Sequence, residues 1–217
     1  MDTPYALLIC NGEQPQAATL RELAARASHI VCADGGANVA RRTGIQPQLI
    51  IGDFDSITRE TREYYEQREV ELRYLSRQSD TDFEKALLYL HETGHSSIAV
   101  AGVTGGLLDH TLGNFSILLR HSSRMRMVLF DPHCRIDVIT QSAEFRASPG
   151  DRVSIVPLGR CEGVRYDGLR YALDGGVLEA GIAEGTCNEA LGERFTVHLA
   201  SGVLLVFRRY HEDMARM

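Results

Sequence analysis

The sequence predicts a two-part chain: a parallel α/β domain followed by a β-rich one. Two observations carry this. Through the first two-thirds, short continuous apolar runs alternate with stretches of helix formers. After about Ile136 the long helical periods stop, and short β-branched runs separated by turn residues take over. A continuous apolar run bounded by turn residues suits a strand buried on both faces, and helices between such runs make βαβ units. Short strands with regular turns suit a sandwich or a small barrel.

In order, the apolar runs are Tyr5 to Cys10, Ile30 to Ala33, Leu49 to Ile51, Ile98 to Ala101 and Met125 to Phe130. Each ends at glycine, aspartate or asparagine. Thr19 to Ala27 is rich in helix formers. The clearest helix begins near Thr81. Thr81-Asp82-Phe83-Glu84 has capping-box spacing, Phe83, Ala86, Leu87 and Leu90 recur at helical spacing, and Gly94 is a natural stop. A further helix is expected over His110 to Arg120, with Leu112, Phe115 and Leu119 as its apolar face. In the last third, Val153 to Val156, Phe195 to Leu199 and Val203 to Phe207 read as strands. The boundary is expected within Pro132 to Ala143, giving domains 1–136 and 137–217.

With 217 residues and 44% apolar content, the chain can bury a substantial core. A net charge of -6 argues against a nucleic-acid partner, which calls for a basic footprint. The five cysteines form no Cys-x-x-Cys pair, and free thiols are expected. No signal peptide or membrane-length apolar run is visible. A cytoplasmic protein without a membrane partner is therefore expected.

The acidic residues carry the functional signal. Asp34 follows one predicted strand, and Asp53 and Asp55 follow another. Asp80 and Asp82 lie where a loop enters a helix, and Asp109 lies between a glycine-rich turn and a helix. Open parallel sheets bind ligands beyond the carboxyl ends of their strands. Crowded carboxylates repel one another, and a divalent cation with oxygen ligands offsets that charge. Mg²⁺ bound to carboxylates and phosphates points to phosphoryl chemistry. Taken singly, an aspartate after a strand is more often a turn former or a helix cap. The combination of several such sites with two glycine-rich turns is what favours a metal–phosphate cleft.

The P-loop signature is absent, and Lys85, the sole lysine, sits inside a predicted helix. Backbone amides at Gly35-Gly36 and at Gly102 to Gly106 are the alternative phosphate-binding devices. The zinc-protease pattern His91-Glu92-Thr93-Gly94-His95 needs both histidines on one helical face, and Gly94 is expected to end the helix before His95.

Four segments then resemble the thiamine pyrophosphokinase family: Cys32-Ala33-Asp34-Gly35-Gly36-Ala37-Asn38, Ile51-Gly52-Asp53-Phe54-Asp55-Ser56-Ile57, Thr81-Asp82-Phe83-Glu84-Lys85-Ala86-Leu87, and Gly105-Gly106-Leu107-Leu108-Asp109-His110-Thr111. Weaker resemblance continues through Gly168 to Tyr171 and Gly185 to Asn188. The resemblance implies a Rossmann-like α/β domain that binds ATP and Mg²⁺. It also implies a β-sandwich for thiamine binding and dimerisation, and a homodimer with thiamine where subunits meet. The implied reaction is attack of the thiamine hydroxyl on the β-phosphorus of ATP, releasing AMP.

By the same resemblance, Asp34, Asp53, Asp55 and Asp82 hold Mg²⁺ and phosphates. Gln78 and Thr81 contact phosphate, with Gly35, Gly105 and Gly106 around the nucleotide and Asp109 close to it. Cys187 and Asn188 belong to the thiamine pocket. Asp55 or Asp82 is expected to take the hydroxyl proton. The chain departs from the family pattern at Leu107, where arginine is usual, at Ser79, where an acid is usual, and at Cys187, where serine is usual. Two other readings remain open: a related Mg²⁺-dependent diphosphotransferase acting on another small alcohol, and a non-catalytic thiamine- or nucleotide-binding regulator.

Overall fold

A computed structural model describes residues 3–76 and 80–210. These separate into two compact units. The first runs to Pro132 apart from Leu118–Ser123, and the second comprises that short segment and the chain from His133 onward.

In chain order the first unit contains β1 (Ala6–Ile9), α1 (Ala17–Arg26), β2 (His29–Ala33), α2 (Gly36–Thr43), β3 (Leu49–Gly52), α3 (Arg59–Glu66), β4 (Glu71–Tyr74), α4 (Asp82–Glu92), β5 (Ser97–Ala101), most of α5 (Leu108–His121), and β6 (Arg126–Phe130). All pairings among these strands are parallel, in the order β6-β5-β1-β2-β3-β4. Alternate residues face opposite sides of a strand. Leu7, Ile9, Cys32, Ile50, Ala99 and Val128 pack with Leu20 of α1, Ala37 and Ala40 of α2, and Tyr65 of α3. Leu8, Val31, Leu49, Ile98 and Val100 are buried as well, and α4 packs on β2 and β3. Burial on both faces explains why these strands read as unbroken apolar runs.

Local chemistry sets the helix ends. The Thr81 hydroxyl accepts from the Glu84 N–H at 3.3 Å, so the expected cap of α4 forms. Thr58 caps α3 through the Thr61 N–H at 3.3 Å. The helix α4 ends at Glu92 and Gly94 takes a φ of 86°, so the two histidines of the zinc-like pattern do not share a helical face. His95 instead stacks on His29, with ring centroids 5.1 Å apart.

One expectation is corrected at α5. Leu112 and Leu119 are 58% and 43% exposed, whereas Ile117 and Leu118 are buried. The apolar stripe was real, but periodicity reveals a stripe without saying what covers it.

The second unit holds β7 (Cys134–Ile139), β8 (Ala143–Arg146), β9 (Arg152–Pro157), β10 (Arg160–Asp167), β11 (Gly176–Glu179), β12 (Gly185–Glu189), β13 (Arg194–His198) and β14 (Leu204–Arg209). They form two antiparallel layers, β12-β9-β14-β7 and β11-β10-β13-β8. Ile155, Leu204 and Val206 of one layer share a core with Val164, Phe195 and Val197 of the other. Phe145 and Phe195 stack within it at 5.0 Å. Among the described residues no helix is long and apolar enough to cross a membrane, and no disulfide joins any of the five cysteines.

Candidate active site

The chain reverses its course across the first sheet between β1 and β5. Strands β2 to β4 lie on one side of β1, and β5 and β6 lie on the other. Such a reversal opens a crevice at the carboxyl ends of the strands. The two loops beside it are tied together by backbone bonds. Gly12 N–H donates to Gly102 O and Glu13 N–H to Thr104 O, both at 2.8 Å. The Gln14 side-chain amide donates to Cys10 O and Gly12 O. Across the β5–α5 loop, Asn114 donates to Val103 O at 2.8 Å and Thr104 donates to Asp131. Gly102 has a φ of 77°, and a Cβ there would come within 2.4 Å of Cys10 O, so the loop closes this tightly only with glycine.

The carboxyl ends of β2 and β3 carry the acidic cluster. One carboxylate oxygen each from Asp34, Asp53 and Asp82 lies within 4.8 Å of the others. Asp34 ends β2 in the left-handed region, with a φ of 39°, which aspartate tolerates better than most residues. Its two oxygens accept from the Ser56 N–H at 2.9 Å and the Ile57 N–H at 3.0 Å. The loop after β3 is thereby folded over Asp34. Gly52 brings β3 close beneath: a Cβ there would lie 2.9 Å from Asp34 Cβ and 3.1 Å from the Asp82 carboxyl.

Asp55 stands outside the group of three and contacts Asp34 with its side chain. Its own carboxylate accepts from the Ser56 hydroxyl at 2.8 Å, which with the Asp34 contact holds its pKa below the ordinary value. Asp82, in the first turn of α4, pairs with Lys85 Nζ at 2.8 Å. Burial pushes its carboxyl up, and the charges of Asp53 and Asp55 add to the rise, against the pull of Lys85.

Burial also pushes Asp34 up, to about 6, with Asp55 and Asp82 adding and the Ser56 and Ile57 amides opposing. Between about pH 4 and 6 the folded, metal-free protein therefore holds a proton that the unfolded chain has released. This group favours folding below that window and loses its contribution as pH rises through about 6. A divalent cation prefers the ionised cluster, so stabilisation of the protein by Mg²⁺ is expected to grow between about pH 5 and 7. Thermal melts with and without Mg²⁺ at both pH values test this. A pH-independent difference would count against a cation at these acids.

Two residues named in the sequence were given no role at the site: Lys85, noted only as the sole lysine inside a predicted helix, and Asn38, quoted only within a matching segment. Lys85 is 5% exposed, and its ammonium points into the acidic cluster rather than along an exposed helical face. Its being the only lysine, three residues after Asp82, was the available signal. Asn38, 9% exposed, bridges α2 to the loop after β3: its amide donates to Ser56 O at 2.9 Å and its carbonyl accepts from the Thr58 N–H at 3.0 Å. Asn38→Ala strands both backbone groups, so a loss of about 1–3 kcal/mol is expected in urea unfolding. A loss near zero would mean that water replaces the side chain.

The other expected residues fall as follows. Gly35 stands at the start of α2 against the Asn11 side chain. Gly36 is required by packing, since a Cβ would meet Ile9 O at 2.1 Å. Thr81 spends its hydroxyl on the α4 cap. Gly105 and Gly106 take φ values of 77° and 65°, with the Glu13 side chain against Gly105. Asp109 is exposed in the first turn of α5. Gln78 and Ser79 lie outside the described residues. In the second unit Cys187 is exposed with a φ of 59°. Asn188 is 3% exposed and spends its amide on the backbone of Tyr171, accepting at 3.0 Å and donating at 2.8 Å. It fixes the Tyr171 backbone through these bonds.

Comparison with known proteins agrees along most of the chain. A family model described as thiamin pyrophosphokinase, catalytic domain, matches residues 20–129. A second, described as thiamin pyrophosphokinase, vitamin B1 binding domain, matches residues 135–204. Thiamine pyrophosphokinase 1 of Oryza sativa subsp. japonica is 32% identical over 231 residues, covering 94% of this chain and 86% of the relative. Thiamine pyrophosphokinase of Bacillus subtilis is 28% identical over 180 residues, covering 81% and 84%. Among solved structures, the thiamin pyrophosphokinase of Candida albicans shares the fold with a TM-score of 0.85 at 20% identity, over 96% of this chain and 90% of that one. The Bacillus subtilis enzyme does so with a TM-score of 0.81 at 24% identity, over 95% and 99%. With both family models matched in order and a relative above 30% identity along nearly its whole length, the chain belongs to the thiamine pyrophosphokinase family.

Proposed function

We infer that this chain transfers the diphosphoryl group of ATP to the hydroxyl of thiamine, giving thiamine diphosphate and AMP. Beyond family membership, one observation carries the reading: three carboxylates, from Asp34, Asp53 and Asp82, converge at the carboxyl ends of a parallel sheet with a buried lysine against them. Such a set of hard oxygen donors fits Mg²⁺, which is satisfied by a few carboxylates plus phosphate oxygens and water. Asp34, Asp53 and Asp82 would hold it, with Asp55 alongside. Bound there, the cation supplies positive charge to the phosphates.

The chain's own groups do the rest. The Ser56 and Ile57 amides hold the Asp34 carboxylate in place, and Asn38 holds the loop that presents them. Lys85 limits the repulsion around Asp82. The hydroxyl oxygen of thiamine bonds to the β-phosphorus as the bond from that phosphorus to the α-phosphate oxygen breaks, and AMP leaves. The hydroxyl proton goes to a carboxylate, Asp55 or Asp82. In the metal-free chain the Asp82 pKa is raised and that of Asp55 is lowered, but Asp82 is also assigned to the cation, which would lower its basicity, whereas Asp55 stands outside the group of three. We assign the crevice beside β1 and β5 to the nucleotide, with Gly105, Gly106 and Asp109 near it, and Thr81 and Gln78 to phosphate contacts. Cys187 and Asn188 are assigned to thiamine binding.

The two units are read as a Rossmann-like domain and a β-sandwich, and the assembly as a homodimer. The exposed Leu108 and Leu112 of α5 support an interface. Five cysteines without a disulfide support a reducing compartment, the cytoplasm.

Incubation of the purified protein with ATP, Mg²⁺ and thiamine is expected to yield AMP and thiamine diphosphate in equal amounts. Absence of AMP would overturn the reading, and AMP formed only with another alcohol would reassign the acceptor. Asp55→Asn is expected to abolish turnover with an unchanged circular dichroism spectrum, and near-normal turnover would remove Asp55 from the site.

A further inference from the structure

The acidic site leaves unexplained a concentration of positive charge in the second unit. A cavity of about 340 Å³ is bordered by Arg135, Arg146, Arg152, Arg208 and Arg209, with Asp151 at its rim. That is an unusual neighbourhood in a chain of net charge -6. Residues far apart in sequence build it. Arg208 on β14 lies directly opposite Arg135 on β7 and also opposite Val153, the neighbour of Arg152 on β9. Like charges placed directly opposite in a sheet destabilise it.

Part of that cost is offset by Asp137, 5% exposed. Its carboxylate takes Arg135 Nη2 at 2.7 Å, Arg135 Nε at 3.1 Å and Arg208 Nη2 at 2.8 Å. Burial pushes this carboxyl up, but the two arginines outweigh burial and hold it below its ordinary value, so it stays charged. The Arg208 guanidinium also lies over the Phe145 ring, 5.0 Å from its centroid. The result is a fixed frame of two guanidiniums on one carboxylate. Two observations show that the frame is incomplete. Arg208 Nε is buried without a hydrogen-bond partner among the described residues. Arg146 and Arg152 border the same cavity and are exposed, with no ion pair to an acidic side chain among the described residues. The nearby Asp151 carboxylate accepts from the Ser148 N–H at 2.8 Å, within its own turn.

We propose that this cavity is an anion site that takes a small ligand through a phosphate or diphosphate group, gripped by Arg146 and Arg152 on the frame of Arg135, Asp137 and Arg208. Guanidinium forks match phosphate oxygens and form charge-assisted bonds. Several forks around one cavity suit a tetrahedral, multiply charged group, whereas a single carboxylate is served by one fork. The volume is ample for a diphosphate. The site stands independently of the acidic cluster and of the transfer reaction assigned to it.

Calorimetric titration of the full chain tests the proposal. A chelator keeps divalent cations away from the acidic cluster, and ionic strength is held constant. Inorganic phosphate, pyrophosphate and malonate are the three probes. Saturable binding of phosphate or pyrophosphate is expected, weakened by roughly tenfold or more in the Arg146→Gln/Arg152→Gln double variant. Asp53→Asn is expected to bind like the parent chain. Because both arginines are exposed, the variants should fold, and Arg152→Gln alone gives a second measurement with an intermediate loss. The proposal is overturned by absence of saturable binding, by equal binding in the double variant, or by malonate binding as tightly as phosphate.

Discussion

Lys85→Met is expected to lower kcat/KM by about 10²-fold or more, the scale seen when one preorganised electrostatic group is removed. The side chain is 5% exposed and its ammonium lies 2.8 Å from an Asp82 oxygen. Methionine is of similar length and can occupy the same buried space, so packing changes little. What is lost is the charge. Asp82, already raised by burial and by Asp53 and Asp55, rises further. Because Asp82 is only partly buried, the stability loss is expected at about 3 kcal/mol, the low end for breaking a buried pair. A carboxyl that is harder to ionise is also a weaker cation ligand, so Mg²⁺ affinity falls with activity. A measurement of Mg²⁺-induced stabilisation alongside turnover separates the two effects. If Lys85→Met keeps near-parental activity and Mg²⁺ response, the ammonium has no part in the site. Lys85→Arg is expected not to rescue, because a planar five-donor fork does not fit the space of a buried ammonium.

Gly52→Ala is the second large effect, and it tests geometry rather than charge. The added methyl would sit 2.9 Å from Asp34 Cβ and 3.1 Å from the Asp82 carboxyl. Neither neighbour yields easily. Asp34 is held by two backbone amides, and Asp82 begins a helix with its carboxylate tied to Lys85. Overpacking of this kind costs ~1–3 kcal/mol in stability. The catalytic cost should be larger, since a displacement near 1 Å in a preorganised site reduces the rate by about 10²-fold. The expected signature is a folded protein with a modestly lower Tm, weakened Mg²⁺ binding and little turnover. Unchanged kcat would show that the cluster tolerates displacement.

Several elements were legible because their causes are local. The cap of α4 needs only Thr81 and the Glu84 N–H, three residues apart. The central strands β1, β2, β3 and β5 are apolar beyond the first residues of β2 and β5 (His29 and Ser97) because both faces are covered, and that shows in the sequence. By contrast β4 was not singled out. It lies at the edge of its sheet, and its residues Glu71 to Tyr74 are only partly buried. The second unit was legible as β-rich, but β7, β8 and β10 to β12 were not resolved. Their mixed polar and apolar runs acquire meaning only through antiparallel partners. The leucine stripe of α5 was visible, yet its exposure was not, because periodicity carries no information about the neighbouring surface.

The sequence by itself determined that Asp34, Asp53, Asp55 and Asp82 stand at strand ends and a helix start, in segments resembling one family. That followed from local punctuation of apolar runs. Only the tertiary structure decided which acids meet: Asp34, Asp53 and Asp82 converge, and Asp55 stands beside them. It also decided that the sole lysine is buried among them, that Asn38 ties α2 to the loop after β3, and that arginines from β7, β8, β9 and β14 surround one cavity. Apart from the Lys85–Asp82 pair, which is local to α4 and depends on how that helix packs, the physical reason is shared. These contacts join residues distant in sequence across parallel or antiparallel register, and register is set by packing of whole strands rather than by any residue's own preference.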